Sequence, residues 1–341
     1  MRRRLLDLLA CPACKGSLKL EVFQEAGTEI LDGLFRCSCG LTYPIIDGIP
    51  RFAIRSLHEY AGWSKKYQEI LSGVKMQLPA DTPFQDPKTV ESFGFEWTLH
   101  SQPYSREKLK LVVLDQCKLA PDYFQGKLVL DAGCGAGQQT RFIAELGAEV
   151  VGLDLSDAAL IAYRNNRDMQ AVHIVQADLS HPPFRERTFD FVYSEGVLHH
   201  TADPCRSLRT LVGLVKVGGQ ITAGFYWQRE GFSPALFVKN LIRRFLSLFP
   251  KRVTYYLCWF SIPLSKMPVL KKFFARYLIL YDPNNPDDRF TWCLNYDWYG
   301  KHRYQYSFTR KEVASWFHDE TLHLTDIVEG KPNFYRATVK G

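Results

Sequence analysis

No run of about 18 uncharged apolar residues occurs in the 341-residue chain, so a membrane-spanning helix is not expected. A secretory leader is not expected either. Arg2, Arg3 and Arg4 precede a leucine-rich stretch, but Asp7 interrupts an apolar region already shorter than the roughly 7–15 residues such a leader needs. Evenly paired cysteines are also missing: the chain has nine, and four of them sit in two close pairs, which suits thiol or metal chemistry in a reducing compartment, hence the cytoplasm. Acidic residues are absent from 231–281, a segment that holds Lys239, Arg243, Arg244, Lys251, Arg252, Lys266, Lys271, Lys272 and Arg276. These nine charges exceed the whole-chain net of +7, so the remainder is slightly acidic.

What is present is an ordinary globular composition, 46% hydrophobic and 23% charged, on a chain long enough for one large α/β core and a smaller module. The expected organisation is a small module over 1–55, an aromatic and polar connector over 56–125, and the main domain over 126–341, with 227–306 inserted in it. In the first module, Cys11 and Cys14 share one tight turn and Cys37 and Cys39 another, with strand-like sequence between. Two turns that each present two thiolates can close a tetrahedral Zn²⁺ shell, and binding would add folding energy to a module too small for a sufficient core. Gly16 and Gly40 follow the pairs and suit the backbone turns. The stretch LLACPACKGSL with YPIIDGIPRF resembles the zinc-ribbon family that includes the small activator subunits of tRNA and protein methyltransferases, over about the first fifty residues. The resemblance implies a structural or substrate-presenting role in cis.

The main domain begins with KLVLDAGCGAGQQTRFIAEL, read as a buried strand, a glycine turn and a helix from about Gln138 to Leu146. Gly133 and Gly135, which flank Cys134, and Gly137 make a DxGxGxG pattern, distinct from the GxGxxG of pyrophosphate-binding loops. An acid at the strand tip, Asp131, favours a cationic ligand and would repel a phosphate. AEVVGLDLSDAAL ends a second strand at Asp154, followed by Leu155 and by Ser156 as an N-cap; a carboxylate with two acceptor oxygens suits a vicinal diol. AVHIVQADLSHPPF ends a third strand at Asp178 and Leu179, suited to an adenine amine and ring edge. TFDFVYSEGVLHHTADP supplies a fourth strand and a loop with Glu195, His199 and His200, and in VKVGGQITAGFY the pair Gly218 and Gly219 is expected to turn a helix into the fifth strand.

In order and spacing, these five stations resemble class I S-adenosylmethionine-dependent methyltransferases from about Lys127 to Tyr226. The resemblance implies a Rossmann-like, doubly wound sheet of seven strands, the last antiparallel. It also implies S-adenosylmethionine held by Asp131, Gly133, Cys134, Gly135, Gly137, Asp154, Leu155, Asp178, Leu179 and Glu195. FTRKEVASWFHDE offers Thr309 and Glu312 as a capping box before a helix, and TLHLTDIVE with NFYRATVKG reads as two closing strands.

Candidates for proton transfer are His199, His200 and Glu195, in the loop where ligands collect beyond the carboxyl ends of the strands. LHHTADP resembles quinone-type and small-molecule methyltransferases, so the expected acceptor is lipid, quinone-like or a glycan precursor. Phe93 and Trp97 are expected to roof the cofactor, and Trp298, Tyr299 and Tyr304 to supply aromatic pocket walls. The 227–306 insertion is expected to be a helical lid, with Tyr255, Tyr256, Trp259, Phe273 and Phe274 at near-helical spacing; its basic 231–281 segment suits peripheral contact with a membrane surface. Two alternatives stand beside this reading: RNA methylation, and a non-catalytic binding protein on the same scaffold. SEGVLHH lacks the Asn/Asp-Pro-Pro-aromatic element of base-amine methylating enzymes, so nucleic acid is the less favoured partner.

Overall fold

The computed structural model describes residues 1–53, 60–72, 87–99, 104–281, 287–330 and 333–341. The expected module boundary at 55/56 and much of the connector, including His100, lie outside these residues. The N-terminal module is an antiparallel meander of β1 (Leu18–Ala26), β2 (Glu29–Cys37), β3 (Thr42–Ile46) and β4 (Ile49–Pro50). Its two knuckles differ. Gly40 turns at φ +90°, as a residue without Cβ allows, but at the first knuckle the left-handed residue is Lys15 rather than Gly16. Gly16 serves space instead, since a Cβ there would stand 3.2 Å from Cys14 Sγ.

The main sheet has seven strands, β5 (Leu128–Ala132), β6 (Glu149–Asp154), β7 (Val172–Gln176), β8 (Phe189–Glu195), β9 (Val215–Gly224), β10 (Leu324–Gly330) and β11 (Phe334–Val339). Their order across the sheet is β10-β11-β9-β8-β5-β6-β7. The five strands β5 to β9 pair in parallel, and β11 runs antiparallel to both β9 and β10. This is a Rossmann-like α/β sheet, and its central strands are apolar runs because helices cover both faces. The order reverses direction at β5, so the loops after β5 and β8 open a crevice at the carboxyl edge.

Gly218 and Gly219 do not make the helix-to-strand turn. The helix Pro204–Gly213 ends before them, and β9 already runs from Val215. They lie in an irregularity of β9 opposite Phe189 and Phe191. Gly218 takes φ +78°, and a Cβ on Gly219 would stand 2.7 Å from the Asp190 carbonyl oxygen, so the bulge needs both. The capping box forms in both directions: Thr309 Oγ1 accepts from Glu312 N, and Glu312 Oε2 accepts from Thr309 N at 2.7 Å.

The meander is welded to the sheet. Leu5, Leu9, Cys11, Phe35 and Phe52 belong to the same buried core as Val151, Val175, Phe184 and Phe189. Arg51 bridges to Gln176 at the exposed edge of β7, Phe52 N donates to Gln176 O at 2.8 Å, and Ala10 N donates to Pro183 O at 2.8 Å. An edge strand with open hydrogen-bonding groups is thereby covered. The insertion carries the helices Pro234–Leu246, Lys251–Trp259, Ser261–Lys266, Lys271–Tyr277 and Asp288–Tyr299. It has its own small core of Tyr255, Cys258, Tyr296, Trp298 and Tyr299.

Candidate functional site

Sharp chain reversal after β5 creates the floor. Gly133, Gly135 and Gly137 all take positive φ, at +89°, +52° and +76°, and each also needs the space a side chain would fill. A Cβ on Gly133 would lie 2.3 Å from Val197, one on Gly135 2.7 Å from the Trp97 ring, and one on Gly137 2.5 Å from Asn166. Gly133 N and Cys134 N both donate to Leu153 O, which ties the loop to β6. The Asp154 carboxylate at the tip of β6 is oriented by three donors: Gly135 N at 2.9 Å, Ser156 N at 2.8 Å and Ser156 Oγ at 2.7 Å. Ser156 Oγ in turn accepts from Ala158 N, but the N-cap of the helix Ala158–Asn166 is Asp157 rather than the expected Ser156, which stands one residue before it.

A cavity of about 390 Å³ opens over this floor. Gly133, Cys134, Asp154, Leu155, Leu179, Glu195 and His200 border it. Asp131, Asp178, Gly135, Gly137 and His199 are not in its wall. Asp131 is buried beneath, accepting from Thr140 Oγ1 at 2.6 Å. Asp178 Oδ1 accepts from Ser180 N at 2.8 Å, while its buried Oδ2 has no partner. Its neighbours Ala177 and Leu179 are the residues that reach the wall. Asp131 feels the charges of Asp154 and Glu195, whereas Asp178 stands apart from these three, with His181 as its charged neighbour. Burial raises the pKa of Asp131 to about 7, with Asp154 and Glu195 adding to the rise. Burial likewise raises Asp154, Asp178 and Glu195, against their hydrogen-bond donors and, at Glu195, against Lys108. Such a site is short of positive charge, and a cationic ligand is what would offset it.

Two helices close the cavity. From Pro87–Leu99, Phe93, Glu96 and Trp97 face it; from Asp288–Tyr299, Phe290, Cys293, Leu294 and Asp297 do so. The latter four recur at the i, i+3, i+4, i+7 spacing of one helical face. This phase turns Trp298 and Tyr299 into the insertion's core, so neither forms the expected wall. Tyr304 contributes a backbone carbonyl instead, accepting from His200 Nδ1 at 3.1 Å.

That bond assigns the proton of neutral His200 to Nδ1 and leaves Nε2 as an acceptor. Nε2 stands 3.8 Å from Asp297 Oδ1, and the Tyr226 hydroxyl donates to Asp297 Oδ2. Burial lowers His200 to about 4 and raises Asp297 to about 6. Glu96, buried close by, is pushed well up by burial and then by Asp297, and it accepts from the Cys293 thiol at 2.8 Å. His199 is buried behind, stacked on Tyr226 at 3.8 Å between ring centroids, with neither ring nitrogen partnered. Glu96, Tyr226, Cys293 and Asp297 were not singled out in the sequence. The i, i+3, i+4, i+7 recurrence in RFTWCLNYDW was the available signal for the last two.

In the N-terminal module the four sulfurs of Cys11, Cys14, Cys37 and Cys39 lie within 4.8 Å of one another. Cys11 and Cys39 are 3.7 Å apart and Cys14 and Cys37 3.3 Å, close to the edge of about 3.8 Å that a tetrahedral zinc–thiolate shell requires. The donor set therefore fits a structural zinc.

Comparison with known proteins agrees with both halves. Residues 130–223 match the family described as methyltransferase domain, and residues 2–48 the Trm112p-like protein family. Over 113 residues the chain is 34% identical to the tRNA U34 carboxymethyltransferase of Idiomarina loihiensis, covering 30% of this chain and 35% of that protein. Over 99 residues it is 31% identical to a ubiquinone biosynthesis O-methyltransferase of Coxiella burnetii, covering 28% of this chain and 42% of the relative. The chain thus spans well under half the length of these two relatives. One chain of a solved complex between the Haloferax volcanii Trm112 methyltransferase activator and a methyltransferase matches 74% of this chain and 98% of its own length, at 13% identity and a TM-score of 0.42. The chain carries an S-adenosylmethionine-dependent methyltransferase domain and, in the same polypeptide, a Trm112p-like zinc ribbon.

Proposed function

We propose that the chain transfers a methyl group from S-adenosylmethionine to a small, largely apolar acceptor bearing an ionisable hydroxyl or acidic carbon, of lipid, quinone-like or glycan-precursor type. The observation that carries this is a single cavity bounded both by the Asp154 carboxylate and by an unprotonated, fixed imidazole nitrogen, His200 Nε2. The cofactor, when bound, supplies an electrophilic methyl on a sulfonium. Asp154 is assigned to the ribose hydroxyls, from which its carboxylate would accept hydrogen bonds. Leu155, Asp178 and Leu179 are assigned to the adenine, and Glu195 with the deeper Asp131 to the positive charge. Gly133 and Cys134 offer their backbone to the cofactor at the cavity wall, and Gly135 and Gly137 shape the turn behind it.

On the acceptor side, Phe93, Trp97, Phe290 and Leu294 exclude water. His200 Nε2 takes the acceptor's proton, and Asp297 at 3.8 Å stabilises the imidazolium so formed. Tyr226 holds Asp297 in place by donating to its other oxygen. His199 supports this group by packing, and Glu195 belongs to the cofactor half. The zinc ribbon is structural. No described helix is long and apolar enough to cross a membrane, and we read 231–281 as the segment that meets a membrane surface on the cytoplasmic side.

A second reading, methylation of RNA, is favoured by the identity to a tRNA-modifying relative and by the ribbon. Incubation of the chain with labelled S-adenosylmethionine and cell extract separates the two. Label in an organic-soluble product supports the small acceptor, label in ribonuclease-sensitive material replaces it with RNA, and no transfer to either leaves a binding scaffold.

A further inference from the structure

The insertion exposes far more apolar surface than its own packing requires. Helix Pro234–Leu246 is apolar on two sides. Leu236, Ile242 and Leu246 pack on the insertion's core with Tyr255, Tyr296 and Trp298. Phe237, Leu241 and Phe245 recur every four residues and are 60%, 59% and 59% exposed. Phe232 before the helix and Leu248 after it are 81% and 76% exposed. At about 1.5 Å per residue the helical part of the stripe, Phe237 to Phe245, is about 12 Å long. Val253, Tyr256, Leu257 and Phe260 form a second exposed set on the next helix at i, i+3, i+4 and i+7. Soluble surfaces rarely leave apolar patches of this extent without an occupant.

The charge around the stripe selects the occupant. Residues 231–281 hold nine Lys and Arg and no Asp or Glu. Arg244 and Arg252 are exposed beside the two apolar sets. A second copy of the chain would bring like charges together, whereas an anionic lipid surface receives both features, apolar side chains below the headgroups and cations among them. With no described helix able to span, the contact is interfacial.

We infer that Phe232, Phe237, Leu241, Phe245 and Leu248 insert into the headgroup region of an anionic bilayer, with Arg244 and Arg252 on its phosphates. This deepens, and rests on, the reading of 231–281 as the membrane-facing segment; it does not depend on the methyl acceptor. The layer is mechanically close to the site. Helix Asp288–Tyr299, which lines the cavity, is tied to helix Lys251–Trp259 by Trp292 Nε1 donating to Tyr255 O at 2.7 Å.

The test is flotation of the full chain with vesicles of pure phosphatidylcholine or of equal parts phosphatidylcholine and phosphatidylglycerol. Three chains are compared: wild type, the triple variant Phe237→Asn, Leu241→Asn, Phe245→Asn, and the double variant Arg244→Glu, Arg252→Glu. The expected result is binding to the anionic vesicles, weakened about tenfold or more in each variant. Melting temperature and S-adenosylhomocysteine affinity should be unchanged, since these side chains face solvent; calorimetry with that ligand keeps a failure here distinct from a failure of the methyltransferase reading. Failure of wild type to bind anionic vesicles at low salt would overturn the inference, as would equal binding by the triple variant or equal binding to neutral vesicles. Self-association in light scattering that the triple variant abolishes, without vesicle binding, would assign the stripe to a protein interface instead.

Discussion

Asp154→Ala removes the carboxylate assigned to the ribose and little else. The lost group receives Gly135 N, Ser156 N and Ser156 Oγ at 2.7–2.9 Å, so its position is fixed before any ligand arrives. A hydrogen bond to a charged acceptor contributes about 1.5–3 kcal/mol net. The ribose hydroxyls would regain water in the variant, so one such bond is the appropriate loss, about 10- to 150-fold in affinity. Folding should survive. Burial raises the Asp154 pKa, so its ionised form opposes folding at neutral pH, and truncation relieves that opposition while freeing two backbone donors. Calorimetric titration with S-adenosylhomocysteine, alongside the melting temperature of the free chain, reads both quantities. Affinity within about twofold of wild type in a variant that melts normally would show that the diol is not at Asp154 and would refute the assignment of the floor.

Other consequences are equally concrete. Asp131 titrates at about 7 in the folded chain, so its ionised form costs stability as pH rises through 7; Asp131→Asn should raise the melting temperature of the ligand-free chain at pH 8, with the gain vanishing toward about pH 4, where wild type is protonated. His200→Ala should lower kcat about 10²- to 10⁴-fold with cofactor affinity retained, whereas loss of affinity with kcat intact would exclude proton transfer at Nε2. Activity should fall as pH drops through about 6, because Asp297 becomes protonated, and Asp297→Asn should lose that acid limb along with rate; a limb that persists in the variant would point to another group. Removing zinc with a chelator should release one ion per chain, by metal analysis. A loss of about 3 kcal/mol would lower the melting temperature by roughly 6–12 °C, and an unchanged melt would mean that the ribbon does not need metal.

The parts of the site readable in sequence are those whose chemistry is local. A glycine at positive φ, two cysteines on one turn and an acid ending an apolar strand each carry their reason within a few residues. Asp297 and Glu96 were not readable because they sit on helices whose rotation is set by packing: one residue of phase decides whether Asp297 or Trp298 meets the cavity. The same applies to His199 and His200, adjacent in one turn of 3-10 helix, Leu198–His200, of which only His200 reaches the wall. Gly218 and Gly219 resembled a helix stop because a strand bulge needs the same residue type for a different reason. Asp131 lies at the end of its strand as expected, but β7 stops at Gln176 and leaves Asp178 two residues beyond it; how far either acid lies behind the wall depends on how deeply the crevice cuts.

Arg51 closes the ribbon's last pairing, and Nη1 of its buried side chain donates to Gln176 Oε1 at 2.6 Å. The amide nitrogen of Gln176 donates to the carbonyl of Leu155, one residue beyond Asp154, at 3.3 Å. Two side chains therefore separate the thiolate-bearing module from the ledge assigned to the nucleoside. Oxidation or stripping of the four thiols in such an arrangement would not stay local: a chain that had lost its metal would also hold its methyl donor less firmly, so that redox stress on the ribbon would be felt as a drop in turnover.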